Sequence, residues 1–497
     1  MNAEGVGFNP EEHAETMVDG EWYVRLWKIL GSEDTEDAYI PDVEELEEQK
    51  SKFIAGELDA PNPILKNLDF EKLAHRQKEL SELKADILKE SLIKDEGQNE
   101  SLRWLYRWRI NEEIARVRMY EVSKRIQELR QDPGANPTEL RRNEIAFDRY
   151  NKFIYGEPSA EVFSDTLLTI RATAETELDS ENEELRLAAR GLLDVLPKPP
   201  SAEKIGTPSE VTFEAVKAAV NDDIEGYEID LENFPEKSDA EAIVNSFNEN
   251  LQKIGATWWK AVIDQTGRRL ITLRPQKGDA LIPETRKAGP KKMVELTIHE
   301  ILSHILRGVH GLETGLGLAM IGFDRYERAD EGIATARSQS QKESFEGFAS
   351  MVDHLAISLA RGLDADGSGR PNYRNFRGVY DILYQYNYYK QIKIGKTPDL
   401  AKENAANDSW NTARMCFRGT GYDTPGFCNR EKIMYREGNI ETWGQLDDDP
   451  QTLIKFVMSL GKVDTNNQRH IYALHQLKII TQEELEQIEK AIFDLAA

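Results

Sequence analysis

One short stretch limits what this chain can fold into, because it sets two histidines and a glutamate within an apolar helical pattern. The three polar residues are His299, Glu300 and His304. The apolar residues around them recur at the spacing of a helix that is buried on at least one face; they are Leu296, Ile298, Ile301, Leu302, Ile305, Leu306 and Val309. The stretch is therefore predicted to be a buried or half-buried helix that carries a metal-binding pair of histidines.

The distance between the two histidines differs from that of the common zinc-binding helix. In the common form the histidines stand four residues apart, and a glutamate next to the first acts as general base. His299 and His304 stand five apart, which on a straight α-helix turns their side chains about 140° away from each other. A one-residue π-bulge would bring them back to one face. The sequence therefore predicts an underwound or bulged turn between them.

A second interpretation treats these histidines as ordinary core or surface residues. The chain has only 8 histidines, so a chance His-Glu-x-x-x-His is expected in roughly one such sequence in a hundred. A zinc site also needs a third protein ligand and an open position for water. Glu331, at the start of a predicted helix, and His310 are the two candidates. Glu331 is favoured because the following Gly332 suits two closely packed helices.

These motifs resemble those of a known family. His299-Glu-x-x-x-His304-x-Leu-Arg, followed by Asp330-Glu-Gly-Ile-Ala334, resembles the tubulin tyrosine carboxypeptidase family and its bacterial relatives with a Gln-Glu-Gly-Leu-Ala motif. The similarity extends from about residue 100 to the end of the chain. It includes four further segments, which are Tyr155-Gly-Glu-Pro158, Arg414-x-x-x-Arg418-Gly419, Tyr435-Arg-Glu-Gly438 and Leu460-Gly-Lys462.

The resemblance implies a fold, a metal and an activity. The fold is α+β and mostly α-helical, with a zincin-like metallopeptidase domain, a small β-sheet and an added N-terminal helical region. Zn²⁺ is bound by His299, His304 and Glu331. The activity is that of a metallocarboxypeptidase, which hydrolyses the C-terminal peptide bond of a peptide or protein.

The expected mechanism gives each remaining polar motif residue a role. Glu300 is the general base that takes a proton from the zinc-bound water and later passes it to the leaving amine. Tyr435 is the candidate donor to the oxyanion. Arg414 or Arg418 would hold the substrate carboxylate by two hydrogen bonds, with Arg307 as a weaker third choice.

Two other functions remain open at this stage. The first is a zinc hydrolase that acts on a non-peptide amide, such as one in a small metabolite. The second is a non-catalytic scaffold that is stabilised by zinc and binds a partner protein. Glu300 argues against the scaffold, because a purely structural zinc site has no use for a general base.

Charge and composition exclude other classes of function. A net charge of −26 argues against sequence-independent binding of nucleic acid, which needs a basic surface. No segment reaches the ~20 apolar residues of a membrane span, and no signal peptide is seen at Met1. With only two cysteines, Cys416 and Cys428, a cytoplasmic location is expected. The sequence does not indicate an oligomeric state.

The chain is predicted to divide into three parts. Residues 1–66 form an acidic N-terminal extension, residues 67–197 a helical region, and residues 198–497 the metallopeptidase-like domain with a helical C-terminal part. Within the last part, 256–263 and 269–274 are predicted to pair as a β-hairpin. Residues 364–369 resemble the start of a calcium loop but lack its later ligands, so an ordinary polar turn is favoured.

Overall fold

The computed structural model describes residues 9–32, 39, 41–65, 68–231, 234–266, 270–364, 369–447 and 449–492. Helices make up 65% of the structure and strands 3%. The predicted mostly helical α+β class with a small sheet is therefore confirmed. No helix within these ranges combines the length and the apolar character needed to cross a bilayer.

The N-terminal half is helical, and polar side chains begin most of its helices. Asp69, Asp95, Asn136 and Ser159 each accept a hydrogen bond from a backbone N–H in the first turn of the helix that follows, which supplies a partner that the helix cannot. The helices are α1 Pro10–Ala14, α2 Gly20–Gly31, α3 Val43–Ile54, α4 Phe70–Ile87, α5 Glu96–Gln131, α6 Pro137–Tyr155, α7 Ala160–Glu175 and α8 Glu183–Val195.

The middle of the chain contains the sheet and the histidine motif. Its elements are α9 Glu210–Gly226, α10 Ala240–Lys253, β1 Lys260–Asp264, β2 Thr272–Arg274, β3 Asp279–Pro283, α11 Pro290–Leu296, a π-helix Thr297–Ile305, α12 Leu306–Glu313, α13 Gly317–Ile321 and α14 Glu327–Gln339. The C-terminal part is helical again, with α15 Met351–Ala360, α16 Phe376–Lys393, α17 Pro398–Phe417, α18 Ile433–Leu446, α19 Pro450–Ser459, α20 Gln468–Gln476 and α21 Gln482–Ile492.

The predicted β-hairpin is wrong, because its two strands are not neighbours. The strand order is β1-β3-β2, in which β3 pairs parallel with β1 and antiparallel with β2. Every residue of β3 is buried, so it takes the centre and leaves β2 at an edge. A short, fully buried strand lacks the polar–apolar alternation by which strands are recognised in sequence. Of the turn predicted to join them, residues 264–267, only Gly267 lies outside the described residues, and Asp264 ends β1.

Three hydrophobic clusters make up the core, and the π-helix belongs to one of them. Ile298, Ile301, Leu302 and Ile305 are buried with side chains of α10, β3, α14 and α19, as expected for the apolar residues around the motif. A second cluster joins α7 and α8 to α15–α17. The third joins α2, α4, α5 and α6 to α13 and α20.

The N-terminal segment is anchored in the last of these clusters. Trp22 and Tyr23 are fully buried. The buried Asp19 carboxylate accepts hydrogen bonds from the Gly317 and Leu318 N–H groups at 2.7 and 2.9 Å, and from the Tyr106 hydroxyl at 2.6 Å. This segment therefore closes over α13, which follows the histidine-bearing helix.

Of the calcium-like stretch, residues 365–368 lie outside the described residues. The preceding Asp364 forms an ion pair with Arg374, and Asn372 also donates to it. Its carboxylate is thus engaged within the protein.

Candidate metal centre

The helix widens at the histidine motif, as its five-residue spacing predicts. Residues Thr297–Ile305 form a π-helix between α11 and α12. The N–H of Leu306 donates to the carbonyl of Ile301, five residues back, which is the pattern of a π turn. The Ser303 hydroxyl also donates to the Ile298 carbonyl at 2.8 Å. The extra residue per turn brings His299 and His304 to the same face.

Three potential ligand atoms meet on that face. The Nε2 atoms of His299 and His304 are 3.3 Å apart. One Glu331 carboxylate oxygen, Oε2, lies 3.6 Å from the first and 3.7 Å from the second. A tetrahedral zinc ion, with bonds of 2.0–2.2 Å, separates its ligand atoms by about 3.4 Å. The triangle therefore has the size of one face of such a site.

An unpaired carboxylate oxygen is a second reason why the arrangement fits a divalent metal ion. Oε2 of Glu331 is a buried carboxylate oxygen with no hydrogen-bond partner among the described residues. Leaving such an oxygen buried and unpaired is costly, and the two imidazole nitrogens beside it offer lone pairs. A cation between the three atoms would satisfy all of them, so His299, His304 and Glu331 form a group that could hold a metal.

The other side of the His304 ring is fixed by a carboxylate. Nδ1 of His304 donates to Asp330 Oδ2 at 2.6 Å, which leaves the Nε2 lone pair free for a metal. Burial disfavours the charged imidazolium, but Asp330 and Glu331 outweigh burial and raise the pKa of His304 to about 10. The carboxylates that stabilise the imidazolium would equally stabilise a metal cation, which would take the place of the proton at Nε2.

Asp330 is itself held by an arginine. The guanidinium of Arg307, which is fully buried, pairs with the other Asp330 oxygen. It also donates to the carbonyls of Val457 and Val463 at 3.1 and 2.9 Å. The predicted weaker choice of Arg307 as a substrate clamp is therefore wrong, because every described contact ties it to the protein behind His304. A chain of contacts links the C-terminal segment to the candidate ligand.

Helix α14 brings Glu331 to the site by packing closely against α18. A methyl group at Gly332 would overlap the backbone at Gly438, and one at Gly438 would overlap the Arg328 carbonyl. The two motif glycines therefore permit this contact, whereas the sequence interpretation placed the close contact of Gly332 at the histidine helix. The alternative ligand His310 points elsewhere, since its ring nitrogens lie 3.1 Å from the Met458 carbonyl and 3.3 Å from the Tyr227 hydroxyl.

Glu300 and Tyr435 lie beside the three ligand atoms. Burial raises the pKa of the half-buried Glu300, against the effect of His299 and His304. Burial also raises the pKa of Tyr435, and the Glu331 carboxylate adds to this effect. The Tyr435 hydroxyl therefore stays protonated at neutral pH and keeps its capacity to donate a hydrogen bond.

A cavity of about 740 Å³ opens in front of these residues. His299, Glu300, Glu331 and Tyr435 line it, and so do the predicted substrate residues Arg414 and Arg418, together with the edge strand β2. A second cavity, of about 730 Å³, shares His299 and Tyr435 with the first. His299 therefore lies where the two cavities meet, and all three candidate ligands line the first.

The two predicted substrate arginines have different surroundings. Arg418 forms an ion pair with Glu431, and its guanidinium carbon is 5.9 Å from the centre of the Tyr39 ring. Arg414 is half-buried in the same wall. A substrate carboxylate would therefore have to compete with Glu431 for Arg418.

Sequence reasoning missed the part played by Asp330 and Arg307. Asp330 attracted notice only as a departure from the Gln or Glu of the similar family. A signal was present, because an Asp directly before a candidate ligand and an Arg three residues after His304 can meet behind a metal site.

Comparison with known proteins adds no further assignment. No protein-family model matches the chain, and no curated protein matches it either. The interpretation of the site therefore rests on its residues and geometry.

Proposed function

We propose that this protein is a zinc-dependent metallocarboxypeptidase with a zincin-like catalytic domain. The observation that carries the proposal is the triangle of His299 Nε2, His304 Nε2 and Glu331 Oε2, with sides of 3.3, 3.6 and 3.7 Å. Glu300, directly after the first ligand, supplies the base that distinguishes a hydrolytic site from a structural one.

A zinc ion at such a site supplies a Lewis acid that polarises the substrate carbonyl and makes water a stronger acid. Glu300 takes the proton of the attacking water and passes it to the leaving amine. Burial raises the pKa of Glu300, which makes its carboxylate a stronger base toward the water proton. Tyr435 donates a hydrogen bond to the negative charge that develops on the carbonyl oxygen.

The shape of the site favours a peptide over a small amide. β2 is an edge strand that lines the cavity, and such a strand can hold an extended peptide by backbone hydrogen bonds. The second cavity gives room for further residues on the other side of His299. The carboxylate end is assigned to the first cavity because it contains Arg414 and Arg418.

Metal analysis tests the metal assignment. Wild-type protein, purified and equilibrated with limiting zinc, is expected to hold about one ion, and Glu331→Ala is expected to bind it at least 10–100-fold more weakly. Glu313→Ala, an exposed glutamate in α12, is the matched control and should bind like wild type. Equal metal content in all three proteins would remove Glu331 from the site.

Hydrolysis tests the reaction. Wild type is assayed against peptides with different C-terminal residues and against small amides, and only the peptides are expected to lose their last residue. Glu300→Gln should keep the metal and lose this activity. Full activity in that variant would contradict the assigned base, cleavage of small amides alone would favour the non-peptide hydrolase, and bound zinc with no hydrolysis would favour the scaffold.

A further inference from the structure

The first cavity is basic although the chain as a whole is acidic. Ten Lys and Arg residues but only seven Asp and Glu residues line it, in a protein with a net charge of −26. A wall with excess positive charge raises the local concentration of anionic ligands. The question is which of these basic groups is available to such a ligand.

Within the part of the chain that the structure describes, most arginines with a buried Nε already pair with an acid. Eight arginines have a buried Nε without a hydrogen-bond partner among the described residues. Seven of them form an ion pair with an Asp or Glu through their side chains; they are Arg76, Arg109, Arg130, Arg337, Arg418, Arg430 and Arg436. The eighth, Arg286, has no side-chain hydrogen bond and no ion pair within the described ranges. It lines the first cavity.

The backbone holds Arg286 in a defined place. Its N–H donates to the Pro283 carbonyl at 2.8 Å, which closes a turn directly after β3. Two residues later, Ala288 exchanges backbone hydrogen bonds of 2.8 and 2.9 Å with Ser238. The guanidinium is thus attached to a fixed segment between the central strand and the histidine helix, and binding a ligand would cost little ordering of the backbone.

We infer that Arg286 binds the C-terminal carboxylate of the peptide substrate. The inference rests on the proposed carboxypeptidase function and names the residue that gives it specificity for a chain end. A guanidinium presents two parallel N–H groups that match a carboxylate, and one without an acidic partner gains more from that contact than one already bound to an acid. Because Arg418 is already paired with Glu431, Arg286 takes the carboxylate-binding role that the sequence offered to Arg418.

Binding measurements on an inactive protein separate this role from catalysis. Zinc-loaded Glu300→Gln protein is titrated by calorimetry with N-acetylated tripeptides that have either a free or an amidated C-terminus. The free acids are expected to bind at least 10-fold more tightly. Adding Arg286→Gln should lower the affinity for the free-acid peptides by about 10–100-fold. The affinity for the amidated peptides should not change, so the preference for free acids disappears. Arg286→Lys, which keeps the charge but loses the fork, should retain part of the preference.

Lys277→Gln is the matched control, because it removes a positive charge from the same cavity and should leave the preference intact. Melting temperatures and zinc content confirm that each variant is folded and loaded, and Arg286→Lys decides the matter if Arg286→Gln does not fold. If Arg286→Gln protein still prefers free acids over amides, the inference is overturned while the carboxypeptidase proposal stands. An equal loss for acids and amides would also overturn it, since Arg286 would then act on Glu300 or on the fold.

A different result would count against the proposed function itself. If the protein with Arg286 intact binds acids and amides equally, it does not recognise a chain end at all. The two failures are therefore distinguishable in one set of titrations.

Discussion

Two buried networks of arginines and carboxylates flank the candidate site, and they end differently. Behind His304, Arg307 pairs with one oxygen of Asp330, and the other Asp330 oxygen accepts a hydrogen bond from the candidate metal ligand His304. Elsewhere in the cavity wall, Glu113 of α5 pairs with Arg109 and Arg76, and none of the ion pairs of Glu113 within the described residues reaches a candidate metal ligand. The same residue types thus orient a ligand on one side and support the cavity on the other. The first network should control metal binding and stability, and the second stability alone.

The largest effect is expected from Arg307→Met. This change leaves Asp330 without its counter-charge and the Val457 and Val463 carbonyls without a donor. Removing one partner of a buried ion pair typically costs 3–5 kcal/mol, so chemical denaturation should show a loss of about that size. Zinc affinity should fall as well, because Asp330 no longer holds His304 in place. Loss of stability with unchanged zinc affinity would show that the network does not reach the metal.

Glu113→Gln is the counterpart in the second network. Burial opposes the charge of Glu113, but Arg109, Arg116 and Arg76 outweigh it and lower its pKa to about 2. Loss of the charge should cost about 3 kcal/mol at neutral pH and leave zinc affinity as in wild type. A weaker affinity for zinc would erase the distinction between the two networks.

The same residue predicts a pH dependence. Because the pKa of Glu113 is lower in the folded protein than the ~4.3 of an unfolded chain, its contribution is complete above that value. The contribution disappears as the pH falls towards 2. The difference in unfolding free energy between wild type and Glu113→Gln should therefore be constant near neutral pH and shrink below about pH 4.5. A difference that stays constant down to pH 3 would contradict the assigned ion pair.

A smaller effect on stability, together with an effect on metal binding, is expected from Asp330→Asn, because the amide oxygen can still accept from Arg307 but its counter-charge is lost. The amide is nearly isosteric but carries no charge, and it can present an NH₂ group to His304 in place of an oxygen. Loss of such an outer contact typically lowers metal affinity by 10–100-fold. Competition with a coloured zinc chelator measures this directly. An unchanged affinity would mean that His304 keeps its tautomer without Asp330.

The same contrast explains how much of the molecule could be predicted from its sequence. The metal-ligand side could be predicted from the sequence. The spacing of His299 and His304 allows both to bind one ion only through a widened turn, and that turn is present. The burial of the apolar residues around the motif followed from their periodicity. These are local signals, which a single sequence carries in full.

The contacts between distant segments could not be predicted in that way. Arg307 donates hydrogen bonds to the carbonyls of Val457 and Val463, about 150 residues later in the chain. No local sequence pattern predicts this contact. The order of the three strands failed for the same reason, since β3 was hidden by its complete burial. Arg286 became notable only when the partners of the other arginines were known.

The smallest effect separates the π turn from an ordinary helical turn. Ser303 donates to the Ile298 carbonyl five residues back in the π-helix, at 2.8 Å. Ser123 makes the corresponding bond in α5, to the Met119 carbonyl four residues back, at 2.9 Å. Both hydroxyls are buried, so Ser303→Ala should cost about 1 kcal/mol of stability. Ser123→Ala should cost somewhat more, because it also removes the 3.0 Å hydrogen bond between Ser123 and the Tyr39 hydroxyl. Only Ser303→Ala should also weaken zinc binding, because the carbonyl that it satisfies belongs to the turn that aligns the histidines. Equal zinc affinity in the two variants would mean that packing of the apolar residues holds the π turn without this hydrogen bond.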